Sequence, residues 1–158
     1  MILAINLFNG VVFDNEIIIH RPINEVYAFL SNFENMPKWN YYLMSVKKTS
    51  TGDIAIGTTF HQVRKSDKQD YRIVELRYPD AIAMETLPPE RKLLMRFQLI
   101  NMGPDTRIID TWQIDAPFFI APFIKPFIKK AVAANLQKLK TLLENGQVVL
   151  QDGREIKL

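Results

Sequence analysis

The sequence predicts an α+β fold in which one long helix covers an antiparallel sheet. Strand-like patterns are clustered at 41–114, and helical patterns lie before and after them. The breaks between the strand patterns are short, which favours consecutive antiparallel strands. The only long amphipathic segment is the last one, at about 122–144, and the apolar face of such a sheet needs a cover. We therefore expect this helix to lie across the concave face of a bent sheet.

The N-terminal part of the chain predicts one strand and then two short helices. Residues 11–20 are rich in Val, Ile and Phe, as strands are. Pro22 stands where a first helical turn begins, and apolar residues follow it at helical spacing. A second short helix is predicted over 33–39, with Asn32 as its N-cap.

Six strand patterns follow, each separated from the next by residues typical of turns. The predicted strands are 41–49, 58–65, 71–78, 82–87, 92–101 and 106–114. The final helix carries its apolar residues on one stripe and ends at Asn145-Gly146, a typical C-terminal stop. The stripe consists of Ile128, Val132, Leu136, Leu139 and Leu143.

The last segment, 146–158, contains Asp152-Gly153, which predicts a hairpin with a type I′ turn. An isolated hairpin is only marginally stable in water. We expect this tail to pair either with the apolar N-terminal segment or with a second subunit. The second alternative would make the protein a homodimer. The whole chain, 1–158, is expected to form one domain with a core at about 11–145.

Composition argues against several classes of function. The absence of cysteine excludes disulfides and thiolate metal sites, and it favours a reducing, cytoplasmic location. The net charge of +3 is spread along the chain, so we expect no nucleic-acid partner. With two histidines and no nucleotide-binding glycine motif, we expect no metal and no cofactor. The longest apolar run has nine residues, whereas a membrane-spanning helix needs about 20.

Two motifs resemble those of a known family. The first is the pattern of an apolar residue, proline, valine and an aromatic residue, followed by Pro-x-Trp, in Ile19-His-Arg-Pro-Ile-Asn-Glu-Val-Tyr-Ala-Phe-Leu-Ser-Asn-Phe-Glu-Asn-Met-Pro-Lys-Trp-Asn40. The second is the helical ending Asn135-Leu-Gln-Lys-Leu-Lys-Thr-Leu-Leu-Glu144. Together with the order of elements, they resemble the START-like (SRPBCC) superfamily, in particular its polyketide cyclase/dehydrase branch.

This resemblance implies a helix-grip (START/Bet v 1-like) fold, a curved antiparallel sheet around a long helix with an apolar cavity between them. Similar proteins bind or transfer lipids, quinones and plant hormones, act as aromatase/cyclase components, or serve as co-chaperone modules. The family lacks a universal catalytic constellation, so the resemblance identifies no catalytic residue in this chain.

The resemblance therefore favours a protein that binds a hydrophobic small molecule, such as a lipid, a quinone or a polyketide-like aromatic. Two alternatives stay open: an enzyme of the cyclase/dehydratase kind, and a protein-interaction module without a ligand. The residues predicted to bind the ligand are Trp39, Tyr41, His61, Met84, Met95, Phe97, Asp110, Trp112, Phe123 and Phe127.

Two of these candidates, Asp110 and His61, are an acid and a base. Strand alternation places Asp110 on the face of Ile108 and Trp112, which predicts a buried carboxylate that is hydrogen-bonded, paired or shifted toward its neutral form. Such a group in a cleft is a candidate for function. The alternative, which we favour, is a solvent-facing or ion-paired aspartate at a sheet edge. For His61, the alternation leaves the face ambiguous, and we favour an exposed or structurally bonded side chain.

The stretch 116–130 repeats Pro-Phe three times beside a cluster of lysines. Burying its four phenylalanines contributes roughly 6–12 kcal/mol, at about 1.5–3 kcal/mol each, whereas a lysine near an anionic surface contributes about 1 kcal/mol. We therefore expect most of these rings to cover the cavity mouth at the start of the helix. A second hypothesis is a transient contact with a membrane surface through Phe118, Phe119, Lys125 and Lys129.

Overall fold

A computed structural model describes residues 10–158. It confirms the α+β prediction, with a short 3₁₀ helix at Phe33–Lys38 between the first helix and the second strand. The helices are α1 (Ile23–Ser31) and α2 (Ala121–Asn145). The strands are β1 (Gly10–Ile19), β2 (Leu43–Lys48), β3 (Thr59–Arg64), β4 (Lys68–Arg77), β5 (Ala81–Thr86), β6 (Leu93–Met102), β7 (Asp105–Asp115), β8 (Gln147–Val149) and β9 (Glu155–Lys157).

Seven of the strands form one antiparallel sheet in the order β1-β7-β6-β5-β4-β3-β2. Among the strands of residues 10–158, only β1 and β7 are neighbours in this sheet without being consecutive in it along the chain, and they pair from Gly10 opposite Asp115 to Ile19 opposite Thr106. The register shifts between Leu43 and Ser45 and between Ile73 and Glu75, and irregularities of this kind bend a sheet. The arrangement is the helix-grip fold.

Helix α2 covers the inner face of the sheet with the predicted stripe. Val132, Leu136 and Leu139 are buried, and the last two belong to a core that includes residues of α1 and of the sheet. The helix is fastened to the edge strand β1. The Lys140 ammonium donates to the carbonyl of Ile18 at 2.5 Å, and the Asn15 amide donates to the carbonyl of Lys129 at 3.1 Å.

The end of α2 agrees with the prediction, and the short helix before β2 agrees in position. Gly146 has a φ of 72° and donates its N–H to the carbonyl of Leu142 at 2.8 Å, so it caps the helix as a left-handed residue. The segment after Asn32 is a 3₁₀ helix containing Pro37, and the Asn32 side chain makes no capping hydrogen bond. Asn32 therefore occupies the predicted N-cap position, but its side chain does not cap the helix.

The C-terminal tail forms the predicted hairpin, but its turn is of another type. A type I′ turn needs positive φ at two successive residues, and within the described residues only glycines have positive φ. The Gly153 N–H instead donates to the carbonyl of Leu150 at 3.0 Å, with φ of 88° at Gly153. The tail packs on its own chain, because the Arg154 guanidinium donates to the carbonyls of Tyr41 at 2.9 Å and Leu43 at 3.3 Å. The predicted pairing with the N-terminal segment lies outside the described residues, and pairing with a second subunit stays a prediction.

The four phenylalanines around the start of α2 are exposed, so the prediction that most of them are buried is wrong. The exposed fractions are 79 % for Phe118, 61 % for Phe119, 74 % for Phe123 and 76 % for Phe127. The reason is that Ala121, Ile124 and Ile128 occupy the inward positions of these turns. They pack with Val132 of α2 and with β1. Among residues 10–158, no helix is long and apolar enough to cross a membrane.

Candidate functional site

A cavity of about 710 Å³ lies between α2 and strands β3 to β7. This volume falls within the range of roughly 300–1,000 Å³ that is usual for small-molecule sites. The strands supply its floor, and α2 supplies its roof through Phe127, Ile128, Ala131, Val132 and Asn135. The position of the cavity follows from the attachment of α2 to β1, which leaves the other side of the helix above the strands that follow.

Most of the cavity wall is apolar. Strand β6 alternates so that Leu93 and Met95 face inward, and β7 presents Trp112 and Ile114 at the positions paired with them. The apolar lining residues are Met36, Leu43, Met84, Leu93, Met95, Trp112, Ile114, Phe127, Ile128, Ala131 and Val132. A wall of this composition favours an apolar ligand surface.

The polar part of the inner wall lies on β3 and β4. Gln62 pairs with Gln69 across these strands, and Tyr71 lies two residues further along β4 on the same face. The Tyr71 hydroxyl donates to Oε1 of Gln69. Burial raises the pKa of Tyr71 to about 12, so the phenol stays protonated near neutral pH. Gln62 is 3 % exposed and presents its side-chain amide to the cavity.

Asn40, which follows Trp39, and Asn135 of α2 form a second polar group on the cavity wall. The Asn135 amide donates to Oδ1 of Asn40 at 3.1 Å, and the same oxygen accepts from the backbone N–H of Tyr42 at 3.1 Å. Gln151 of the C-terminal hairpin donates to Oδ1 of Asn135 at 3.4 Å. These bonds tie the hairpin to this part of the cavity wall.

The charged lining residues lie at the rim, which is formed by the β3–β4 turn, the β5–β6 loop and the end of β7. Arg64 donates to both carboxylate oxygens of Asp67 at 2.6 Å. This pair raises the pKa of Arg64 and lowers the pKa of Asp67. Arg91 and Asp115 also line a smaller cavity of about 390 Å³, which extends to Phe118. The exposed aromatic residues therefore begin directly beside the mouth.

The structure places four of the predicted ligand-binding residues on the cavity wall: Met84, Met95, Trp112 and Phe127. Their role in binding stays a prediction. Trp39 and Phe97 are buried in the core, with ring centres 6.2 Å apart, and neither lines the cavity. Phe123 is exposed and lies outside the cavity.

The predicted polar candidates Tyr41 and His61 also lie off the wall. The ring of Tyr41 packs on Tyr42, with 4.0 Å between ring centres. His61 is on the outer face of β3, where Nδ1 lies 2.7 Å from Oδ1 of Asp70, so the structurally bonded alternative is confirmed for this histidine. Its neighbour Gln62 points inward instead.

Asp110 is buried, as strand alternation predicted, and the favoured alternative of a solvent-facing or ion-paired residue is wrong. It is 1 % exposed, and its Oδ2 accepts from Nε1 of Trp112 at 2.9 Å. Oδ1 has no partner among the described residues. Burial is the main cause that raises the pKa of Asp110 to about 7, against the lowering effect of the Trp112 hydrogen bond. Trp112 lines the cavity and Asp110 does not. The Asp110 carboxyl group therefore binds the indole N–H away from the cavity wall.

The sequence interpretation missed the polar groups that do reach the cavity. The alternation of β3 already placed Phe60 and Gln62 on one face, but the titratable His61 drew the prediction to the other face. Asn135 lies beside Leu136 on the apolar stripe of α2, and a polar residue at such a position was the available signal. In the described part of the chain, no three acidic or histidine side chains form a group that could hold a metal ion.

The fold and the cavity define a class, the helix-grip proteins with an internal apolar cavity. The model of the family "Polyketide cyclase / dehydrase and lipid transport" matches residues 11–144, and the chain belongs to this family. No curated protein is significantly similar to it in sequence.

Several solved structures share the fold at low sequence identity. The crystal structure of a hypothetical protein from Helicobacter pylori has a TM-score of 0.73 at 12 % identity, covering 87 % of this chain and 90 % of that one. Protein XoxI from Bacillus cereus has a TM-score of 0.68 at 12 % identity, with coverage of 83 % and 94 %. A protein from Nitrosospira multiformis has a TM-score of 0.65 at 12 % identity, with coverage of 83 % and 94 %. At this identity the likeness concerns the fold alone.

Proposed function

We propose that the protein is a cytoplasmic binding protein that holds a hydrophobic small molecule, such as a lipid, a quinone or a polyketide-like aromatic, for transport or presentation. The observation that carries the proposal is the cavity of about 710 Å³ with its largely apolar wall under α2. Apolar burial contributes roughly 25 cal/mol for each Å² removed from water. The family to which the chain belongs includes lipid transport in its description.

Binding is preferred to catalysis because of the polar groups that the described chain presents inside the cavity. They are amides and the phenols of Tyr42 and Tyr71, while the lining carboxylates lie at the rim. Burial raises the pKa of Tyr71 to about 12, and a hydrogen bond with Tyr41 raises the pKa of Tyr42. A general acid or base works best with a pKa near the operating pH. Asp110, whose pKa is near 7, lies behind Trp112 and off the cavity wall.

A tryptophan in place of Ala131 tests the binding site. Ala131 lines the cavity, and the indole of Ala131→Trp would occupy space that the ligand needs. We expect the affinity for a neutral fluorescent apolar probe, N-phenyl-1-naphthylamine, to fall at least about tenfold, or ~1.4 kcal/mol. Fluorescence titration measures this affinity, and circular dichroism checks the fold.

The matched control is Ala134→Trp, at an exposed position of the same helix that is not part of the cavity. It should bind the probe like the wild type. If Ala131→Trp is folded and binds the probe equally well, the ligand site is not this cavity.

We also propose that ligand exchange takes place at an anionic membrane surface, through a patch that we call the aromatic–lysine patch. It consists of Phe118, Phe119, Phe123, Phe127, Lys125, Lys129 and Lys130, all of them exposed. Exposed apolar patches of this kind usually mark interaction sites. Phe127 belongs both to the patch and to the cavity wall, so a bound surface would lie next to the mouth.

The charges of the patch favour an anionic lipid surface over a second copy of the chain. Within residues 10–158, the lysines that form ion pairs are Lys65 and Lys140, and neither belongs to the patch. Three lysine ammonium groups on each of two facing patches would repel each other, whereas acidic headgroups attract them. Aromatic rings beside lysines are also typical of segments that lie in the membrane interface.

A further inference from the structure

We infer that the cavity selects neutral ligands that carry a hydrogen-bonding oxygen, such as a ketone, ester or quinone carbonyl or an alcohol, and that Gln62 binds this oxygen. The inference rests on the proposed function, because it names the chemical class of molecule that the cavity takes. It also identifies a specificity-determining residue.

Strand β3 directs the Gln62 amide into the cavity. Phe60 and Gln62 face inward on this strand, while His61 between them faces outward. Gln62 is 3 % exposed and lines the cavity, and in the described part of the chain the buried side-chain polar atom without a partner is Oδ1 of Asp110, not an atom of Gln62. The Gln62 amide therefore faces the space of the cavity. An apolar ligand that fills this space would leave the amide without a hydrogen bond, which is unfavourable, so an amide at this place in the wall favours a ligand with a hydrogen-bonding oxygen.

The neighbouring groups strengthen this polar site. Gln69 lies opposite Gln62 on β4, and its Oε1 already accepts from the Tyr71 hydroxyl. The amide NH₂ groups of Gln62 and Gln69 are therefore donors on the same face of the sheet. A ligand carbonyl accepts such hydrogen bonds, and an alcohol can also donate to the carbonyl of Gln62.

The charges on the wall argue against an ionic ligand group at this position. Arg64 is two residues from Gln62 on the same face, but both of its hydrogen bonds go to Asp67 at 2.6 Å. A ligand carboxylate next to Gln62 would lose its hydration, which is costly, because the other lining cation, Arg91, belongs to the rim. A ligand ammonium would be unfavourable at this position as well, because Asp67 is already paired with Arg64 and the other lining carboxylates, Glu90 and Asp115, belong to the rim. The oxygen of a neutral group avoids both costs.

The test compares three ligands with the same medium-length alkyl chain: a methyl ketone, the alkane and the carboxylate. Each displaces N-phenyl-1-naphthylamine from the wild type, from Gln62→Met and from Val63→Met, a control on the outer face of the same strand. In the wild type and the control, the ketone should bind about tenfold more tightly than the alkane, since one net hydrogen bond is gained. In Gln62→Met the ketone should bind no more tightly than the alkane, because its carbonyl would lose its hydration without gaining the Gln62 hydrogen bond. Gln62→Leu should repeat this result.

A ketone preference that persists in folded Gln62→Met and Gln62→Leu would overturn the role of Gln62. A carboxylate that binds the wild type more tightly than the ketone would overturn the neutral class. Both results leave the proposed function intact, because the ligands still displace the probe. If the wild type does not bind the probe at all, the proposed function fails, and this inference fails with it.

Discussion

The wild type is expected to lose stability as the pH rises from about 4 to about 7, and Asp110→Asn is expected not to show this loss. The folded-state pKa of Asp110 is raised from 3.8 to about 7, chiefly by burial. Between these two values the folded protein keeps the proton and the unfolded chain has lost it. The free energy of unfolding therefore falls with rising pH in this range and is constant above it.

The expected effect is large because the carboxyl group is buried. One pKa unit corresponds to about 1.4 kcal/mol, so the rise of the Asp110 pKa corresponds to on the order of 4 kcal/mol over the whole range. Between pH 5 and pH 8 the wild type should lose on the order of 3 kcal/mol through this group alone. Asp110→Asn keeps an acceptor for the indole N–H of Trp112 and cannot ionise, so it should lack this loss.

Urea denaturation of both proteins at several values between pH 5 and pH 8 measures the effect. The difference between the two unfolding free energies cancels the contributions of groups that both proteins share. Asp53→Asn, at an exposed position, is the control and should follow the wild type. Parallel pH profiles for the wild type and Asp110→Asn would contradict the burial of an unpaired Asp110 carboxyl group.

The second large effect is expected at the membrane surface. Removing two rings of the aromatic–lysine patch in Phe118→Ser/Phe119→Ser should weaken binding to anionic vesicles about 100-fold, because burying each phenylalanine contributes roughly 1.5–3 kcal/mol. Lys125→Glu/Lys129→Glu should also weaken binding, and added salt should reduce what remains. Co-sedimentation with vesicles of phosphatidylcholine and phosphatidylglycerol measures the affinity.

Ile56→Ser provides the matched control, since Ile56 is an apolar residue that is 66 % exposed and lies outside the patch. It should bind vesicles like the wild type. If the wild type does not co-sediment with anionic vesicles, the membrane proposal is wrong. A dimer in analytical ultracentrifugation that Phe118→Ser/Phe119→Ser dissociates would instead assign the patch to an interface between two copies.

The periodic parts of the fold could be predicted from the sequence because burial imposes their patterns. The period of two in β6 and β7 places Met95 and Trp112 on the inner face, and it places Asp110 there as well. The stripe of α2 predicts which face of the helix meets the sheet, and Gly146 marks its end. These features depend on neighbours along the chain, so one sequence is enough to show them.

The cavity and its mouth could not be predicted in the same way, because they depend on the space that remains between elements distant from each other in the sequence. Gln62 and Asn135 look like ordinary polar residues until the space beside them is known. The estimate for the phenylalanines assumed room inside the fold, but Ala121, Ile124 and Ile128 occupy the inward positions of the first turns of α2. Burial energy alone therefore could not predict which rings stay in solvent.

Native mass spectrometry of the freshly purified protein, followed by organic extraction, tests the central claim most directly. The account predicts that the wild type and Ala134→Trp carry a defined apolar molecule with a neutral oxygen, and that Ala131→Trp does not. A wild type at its bare mass, both as purified and after incubation with excess N-phenyl-1-naphthylamine, would contradict the claim that this cavity binds hydrophobic molecules.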